Sequence, residues 1–286
     1  VENKAVPNID TLARQASLAD GTPCRTIGPS EVMRLAEKAG VTGRIVEIEA
    51  LRQNILPDRY LRNRKLLSEA DQIGLLEAAV CIVGLGGLGG LVTETLARMG
   101  VGRFFLIDGD RFESHNLNRQ LFSGIDTIGL PKAEAAATRV KMINPGLDVV
   151  ASATYLTPEN GHTLVEDSSI VVDCLDNIPS RFALEAAARR AGIPMVSAAV
   201  AGISGHVTTI LPGGVGLEAI YGPVDKLERV TGAENRLGCL APGVNLMASL
   251  ECTEVLKVLL GRDNALTNRL LVVDLADYTF ETLQLS

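Results

Sequence analysis

No Cys-x-x-Cys pair occurs anywhere in the 286 residues, and the five cysteines (Cys24, Cys81, Cys174, Cys239, Cys252) are odd in number and scattered. Neither a disulfide framework nor a thiolate zinc site is therefore signalled, and Cys81 and Cys174, which lie inside apolar runs, read as buried reduced thiols. Gly, Arg or Asp interrupts every apolar run well before the roughly 20 residues needed to span a bilayer, so no membrane span is expected. The opening V-E-N-K-A-V-P-N-I-D lacks the basic and apolar regions of a signal peptide, which makes the cytoplasm the default location. Internal repeats and low-complexity linkers are also missing. A formal net charge of −7 argues against wholesale nucleic-acid binding and is compatible with a partner that presents a basic surface.

What is present is a chain that is 47% hydrophobic and long enough to bury a full core. It is organised around Val80 to Asp110, where an apolar run (Val80 to Val83) ends in a turn containing Gly84, Gly86, Gly87, Gly89 and Gly90. The chain then enters an apolar-periodic helix and returns as a strand closing on Asp108. Glycines let backbone approach a phosphate, the following helix offers unpaired N–H groups, and an acid at the tip of the second strand can accept from ribose hydroxyls.

Residues 1–28 show little periodicity and read as a loose extension. A helix is predicted from Pro29-Ser30 to a stop at Gly40, and the type of Gly43 to Leu56 is left open. Ser68 caps the next predicted helix. Further on, helices are expected after Pro131-Lys132, from Pro179 to Arg190, and from Ala241 to Leu260, the last apolar on several faces and therefore buried. Strands are expected at Leu147 to Tyr155, Ser169 to Cys174, Met195 to Ala199, Gly205 to Leu211 and Val215 to Tyr221, with a closing hairpin of Arg269 to Leu275 and Tyr278 to Leu285. Alternating strand and helix units predict an α/β fold: a doubly wound, mainly parallel sheet extended by antiparallel C-terminal strands.

The fingerprint Gly84, Gly86, Gly89, with Asp108 about 20 residues on, suits an NAD-dependent dehydrogenase and an ATP-using enzyme almost equally. Chemistry at a phosphate demands cations and a metal, whereas hydride transfer does not. Asn116, Arg119, Lys132 and Asp176 fall at the C-terminal ends of successive predicted strands. Singly they read as a turn former, two surface cations and a helix cap; placed together around one crevice, they favour the phosphate reading.

The ordered motifs V-G-L-G-G-L-G, L-I-D-G-D, S-H-N-L-N-R-Q, G-L-P-K and D-C-L-D-N followed by Arg181 resemble the MoeB/ThiF/HesA family, which shares its adenylating core with ubiquitin-activating enzymes. The resemblance runs from about Tyr60 to the C-terminus, dividing the chain into a partly helical appendage (1–57) and an adenylation domain (58–286) with a Rossmann-like sheet. It implies ATP and Mg²⁺ as cofactors. The implied partner is a ubiquitin-like sulfur-carrier protein ending in Gly-Gly, of the kind used in thiamine or molybdopterin biosynthesis, whose terminal carboxylate is adenylated with release of pyrophosphate.

Residue by residue, the resemblance implies Asp108 at the ribose, Gly87 along the phosphates, and Asn116, Arg119 and Lys132 neutralising phosphate charge, with Asp176 holding Mg²⁺. Gly84, Gly86, Gly89, Asp110, Asn177 and Arg181 complete the implied nucleotide site. An Arg near the start of the matching region, best matched by Arg64 with Arg62 as fallback, would reach the ATP of a second subunit in a homodimer. Two departures matter. The paired Cys-x-x-Cys motifs that hold structural zinc in many relatives are missing, so no zinc site is expected. The crossover stretch Arg229 to Gly238 contains no cysteine, and Cys239 reads as a packed residue, which favours an enzyme that stops at the adenylate. A dehydratase of tRNA threonylcarbamoyladenosine, which shares the core, is the alternative within the family.

Overall fold

The computed structural model describes residues 8–223 and 234–286. The N-terminal unit is more ordered than its weak periodicity predicts. A short helix (Ile9–Leu12) precedes a hairpin of β1 (Arg14–Ser17) and β2 (Pro23–Ile27), where a loose extension is expected. Next come α1 (Pro29–Ala39), α2 (Gly43–Arg52) and β3 (Ile55–Pro57), so the ambiguous stretch after Gly43 is a helix followed by a strand that pairs parallel to β2. Pro29 opens α1 and Gly40, with φ 64°, closes it in the left-handed conformation that glycine tolerates. Ile9, Ile27, Val32, Leu35, Val46 and Ile55 form a core separate from the rest.

This unit is joined to the remainder by Ile48, Leu51 and Leu56, which enter the main core, and by polar contacts. Arg44 donates to Asp148 at 2.8 Å, and Gly43 lies so close to Gly146 that a Cβ would fall 2.7 Å from its Cα. Fully buried Glu47 sits between Arg59 (2.9 Å) and Tyr60, whose hydroxyl donates at 2.9 Å. Burial pushes the Glu47 carboxyl above its ordinary range, against the pull of Arg59 and of the Tyr60 hydrogen bond.

The main sheet contains β4 (Ala79–Val83), β5 (Arg103–Ile107), β6 (Asp148–Ser152), β7 (Ile170–Asp173), β8 (Met195–Ala201), β9 (Ser204–Ile210), β10 (Arg269–Asp274) and β11 (Thr279–Gln284). Their order is β11-β10-β9-β8-β7-β4-β5-β6; the five strands from β8 to β6 run parallel, and β9, β10 and β11 continue the sheet antiparallel. The long helices are α3 (Glu69–Glu77), α4 (Gly87–Met99), α5 (Lys132–Ile143), α6 (Ile178–Ala191) and α7 (Ala241–Leu259). The chain runs outward from β4 to β6, then returns to lay β7 on the other side of β4. That reversal opens a crevice at the carboxyl ends of the strands.

β4 is buried along its whole length because helices cover both faces. Val80 and Ile82 join the core shared with α4 and α7, and Cys81 and Val83 join the one shared with α6. Ser68 and Asp71 form a reciprocal capping box at the start of α3. Two expectations are corrected. Glu218–Tyr221 is a single helical turn rather than sheet, because Glu185 and Asn268 accept from the N–H groups of Leu217 and Val215. In addition, α7 is not buried all round, since Asn245, Ser249 and Thr253 form an exposed stripe at helical spacing. Among the described residues, no helix is long and apolar enough to cross a membrane.

Candidate functional site

A cavity of about 820 Å³ opens at the carboxyl ends of β4, β5 and β7. Its floor is the turn between β4 and α4. Gly84 has φ 89°, and a Cβ there would fall 2.5 Å from the Cys174 carbonyl; a Cβ on Gly89 would fall 1.8 Å from the Gly84 carbonyl. These two glycines let the turn close. Gly84, Gly86 and Gly87 line the cavity, while Gly89 does not and serves the packing beneath it. No side chain caps α4, which leaves its first backbone N–H groups directed toward the opening.

Asp108 ends β5. One carboxylate oxygen accepts from the Leu85 N–H at 2.7 Å and the other from the Asp110 N–H at 2.8 Å. Burial raises its pKa, opposed by Lys132 and by these two N–H donors. Asp110 lies beside it and receives Lys132 Nζ at 2.9 Å on one oxygen and the Tyr155 hydroxyl at 2.8 Å on the other. For Asp110 the effect of burial is outweighed by those two donors, which hold the carboxyl below its ordinary range. Lys132 is only 6% exposed, so its charge is carried at the cavity wall rather than in bulk water.

Arg119 also lines the cavity. Its guanidinium donates to the His115 carbonyl at 2.9 Å and to Asn118 at 3.0 Å, and it pairs with no carboxylate among the described residues. Asp176 is exposed at the opposite wall and, among the described residues, accepts only from the Asn177 amide at 3.3 Å. The wall thus carries two paired cations, Lys132 with Asp110 and Arg181 with Asp173, and Arg119, which has no counter-charge among the described residues, with half-buried Asp108 at the strand tip and open Asp176 across from it.

Asn116, Asn177 and Arg181 are tied into hydrogen bonds of the surrounding fold, Asn177 and Arg181 while also lining the cavity. Asn116 is 3% exposed, does not line the cavity, and accepts from the Glu113 N–H at 2.9 Å to hold the loop that carries Arg119. Asn177 caps α6 by accepting from the Ser180 N–H at 2.9 Å. Arg181 reaches the wall, but its guanidinium is engaged with Asp173 (2.9 Å), the Ala198 carbonyl (2.8 Å) and the Leu175 carbonyl. Arg64 is not at the cavity: it pairs with Glu69 beside a separate, smaller cavity next to the N-terminal hairpin. Arg62 is exposed and has no ion pair or hydrogen bond among the described residues. Cys239 is half-buried at the rim, where its thiol donates to the Val200 carbonyl at 3.5 Å. Of the crossover stretch Arg229 to Gly238, the part before Glu234 lies outside the described residues.

Lining residues outside the expected set include Gln120, which stands over Gly86 and whose signal was its place in N-R-Q-L, and Tyr155, expected to end a strand from Leu147 but lying past the end of β6 at Ser152. Among the described residues, no group of three or more His, Cys, Asp or Glu could hold a metal ion by itself.

Residues 60–286 match the ThiF family. The SAMP-activating enzyme E1 of Haloferax volcanii is 36% identical over 231 residues, covering 79% of this chain and 84% of that protein. Protein HesA, vegetative, of Trichormus variabilis is 33% identical over 225 residues, covering 78% and 83%. The adenylyltransferase and sulfurtransferase MOCS3 of Sus scrofa is 33% identical over 235 residues, 82% of this chain but 50% of that longer protein. Among solved structures, E. coli MccB with ATP superposes with a TM-score of 0.70 at 23% identity, covering 80% of this chain and 72% of that one. PaaA does so with a TM-score of 0.66 at 19% identity, covering 96% and 99%. At these identities the two structures establish a common fold.

Proposed function

The chain belongs to the ThiF family, and from that premise we propose that it uses ATP to adenylate the C-terminal carboxylate of a ubiquitin-like carrier protein. The observation that carries the reading is the convergence of Asp108, Arg119, Lys132 and Asp176 on the cavity floored by the glycine turn. Two relatives, one an activating enzyme and the other an adenylyltransferase, agree with it.

In this reading Asp108 takes the ribose hydroxyls. Each of its oxygens accepts one backbone N–H and keeps acceptor capacity, so the carboxylate is oriented without being used up. The phosphates lie along Gly86 and Gly87 at the start of α4, with Lys132 and Arg119 on either side. The carrier carboxylate is already ionised near neutral pH, so no general base is required. Its oxygen forms a bond to the α-phosphorus as the α–β bridging bond breaks, and pyrophosphate leaves with the electron pair. The barrier is anion meeting anion, and Arg119, which has no carboxylate to satisfy, is suited to offset the charge that builds on the α-phosphate.

An exposed carboxylate with few protein neighbours fits Mg²⁺, an ion that keeps several of its waters, better than it fits a metal held in a closed cage of side chains. Asp176 would hold that ion, whose contribution is charge neutralisation at the phosphates. The finer assignment is a sulfur carrier of the ThiS or MoaD type, ending in Gly-Gly. A homodimer is part of the same proposal, supported by the exposed Leu117, Leu121, Ile125, Ile128 and Leu130 on the segment after β5. Arg64 pairs with Glu69, so in this reading the role toward a second subunit passes to the fallback, exposed Arg62.

The test is ATP–pyrophosphate exchange with the purified chain and Mg²⁺. Exchange that requires a Gly-Gly-ended carrier supports the reading. Exchange only with threonylcarbamoyladenosine-modified tRNA moves the activity to the dehydratase branch, and NADH binding without exchange refutes nucleotide activation.

A further inference from the structure

Position 109 poses a question that the ribose and phosphate assignments leave unanswered. Gly109 separates Asp108 from Asp110, and its backbone is outside the left-handed region, so conformation does not call for glycine there. A Cβ at 109 would instead fall 2.6, 2.6 and 2.7 Å from Cδ1, Cγ and Cδ2 of Tyr155. Three ring atoms at nearly equal distance mean that the ring lies over the Gly109 backbone and occupies the volume a side chain would need.

Although 64% exposed, Tyr155 is held at both ends. Its hydroxyl donates to Asp110 at 2.8 Å, and its carbonyl accepts from the Asn160 amide at 2.9 Å. Asn160 is itself fixed by the Thr157 N–H at 2.8 Å. One ring face therefore rests on Gly109 while the other is open to the cavity, next to the acid assigned to the ribose. The ring thus presents a fixed, flat apolar face at the cavity wall, a surface on which another planar group can stack.

We infer that Tyr155 is the platform on which the purine of the nucleotide stacks, its open face taking the base while Asp108 takes the attached sugar. The inference rests on the ATP reading above and adds a specificity-determining residue to it. Stacking of a base on an aromatic ring contributes about 1–3 kcal/mol, which corresponds to roughly 5- to 150-fold in affinity.

Titration calorimetry with a non-hydrolysable ATP analogue and with inorganic tripolyphosphate separates base from phosphate recognition. Tyr155→Ala is expected to weaken the ATP analogue on the order of 10-fold and to leave tripolyphosphate unchanged. Tyr155→Phe, which keeps the ring, restores most of the lost affinity, and Gly109→Ala, which displaces the ring without removing it, weakens the analogue alone. Equal analogue affinity in wild type and Tyr155→Ala overturns the inference and leaves the ATP reading standing. So does a parallel loss of tripolyphosphate binding, which would place the effect in the Asp110–Lys132 pair. Failure of the wild type to bind the analogue overturns both.

Discussion

Lys132 and Arg119 illustrate how one residue type can be placed for two tasks. Lys132 is buried, held to Asp110 at 2.9 Å, and so fixed before any substrate arrives; Arg119 rests on neutral acceptors and retains its charge for an incoming anion. Removing either should therefore cost catalysis more than stability. Lys132→Ala and Arg119→Ala are each expected to slow ATP–pyrophosphate exchange on the order of 100-fold or more. The thermal midpoint of Arg119→Ala should stay at the wild-type value. Exchange rates within threefold of wild type in both variants would refute the assigned roles.

Asp108, Lys132 and Asp176 were legible in the sequence because each follows a strand or opens a helix that periodicity locates. Asn116 and Arg181 were not separable from them, since an amide that holds a turn and a guanidinium that ties strand ends use the same residue types at the same places. Only the partners tell them apart, and for Arg181 those are Asp173 and the carbonyls of Leu175 and Ala198. Arg64 likewise looked available in a run of cations, and its engagement with Glu69 depends on how the helix after Ser68 folds back.

Among elements, the strands and helices of the parallel region were readable because buried strands are continuous apolar runs and their helices carry caps such as Ser68 and Gly192. The β1–β2 hairpin was not, since only part of β2 is buried and β1 carries no clean alternation. The Glu218–Tyr221 turn was missed for a different reason: distant side chains, Glu185 and Asn268, decide its backbone path.

That turn also carries a pH dependence. His206 on β9 contacts the Tyr221 hydroxyl through Nε2 at 3.1 Å, and burial, reinforced by Arg181, lowers its pKa from 6.5 to about 4. The folded state thus resists a proton that the unfolded chain accepts. The stabilisation is complete above pH 6.5 and is lost as pH falls from 6.5 toward 4. Because the ring is half-buried, the loss is on the order of 2 kcal/mol rather than the full value of the shift. His206→Gln, which can still hydrogen-bond Tyr221, is expected to flatten this part of the stability profile in urea titrations at pH 7, 5.5 and 4.5. An unchanged slope would exclude His206 as its source.

For the molecule as a whole, the N-terminal unit meets the main domain at a charged seam, with Glu47 enclosed between Arg59 and Tyr60 and Arg44 reaching Asp148. Glu47→Ala leaves Arg59 without its buried partner and should lower unfolding free energy by about 3 kcal/mol. The exchange rate per folded molecule should be unchanged, because the seam lies away from the cavity. A stability loss below about 1 kcal/mol would show that the N-terminal unit is attached by its apolar contacts instead.

The proposed chemistry belongs to the cavity at the sheet's switch point, which the glycine turn, Asp108, Lys132, Arg119 and Asp176 line together. Its most direct test is the intact mass of a Gly-Gly-ended carrier after incubation with the protein, ATP and Mg²⁺. The account predicts a carrier bearing one AMP at its C-terminus, formed by wild type and not by Lys132→Ala. A carrier that stays unmodified while the protein binds ATP would contradict it.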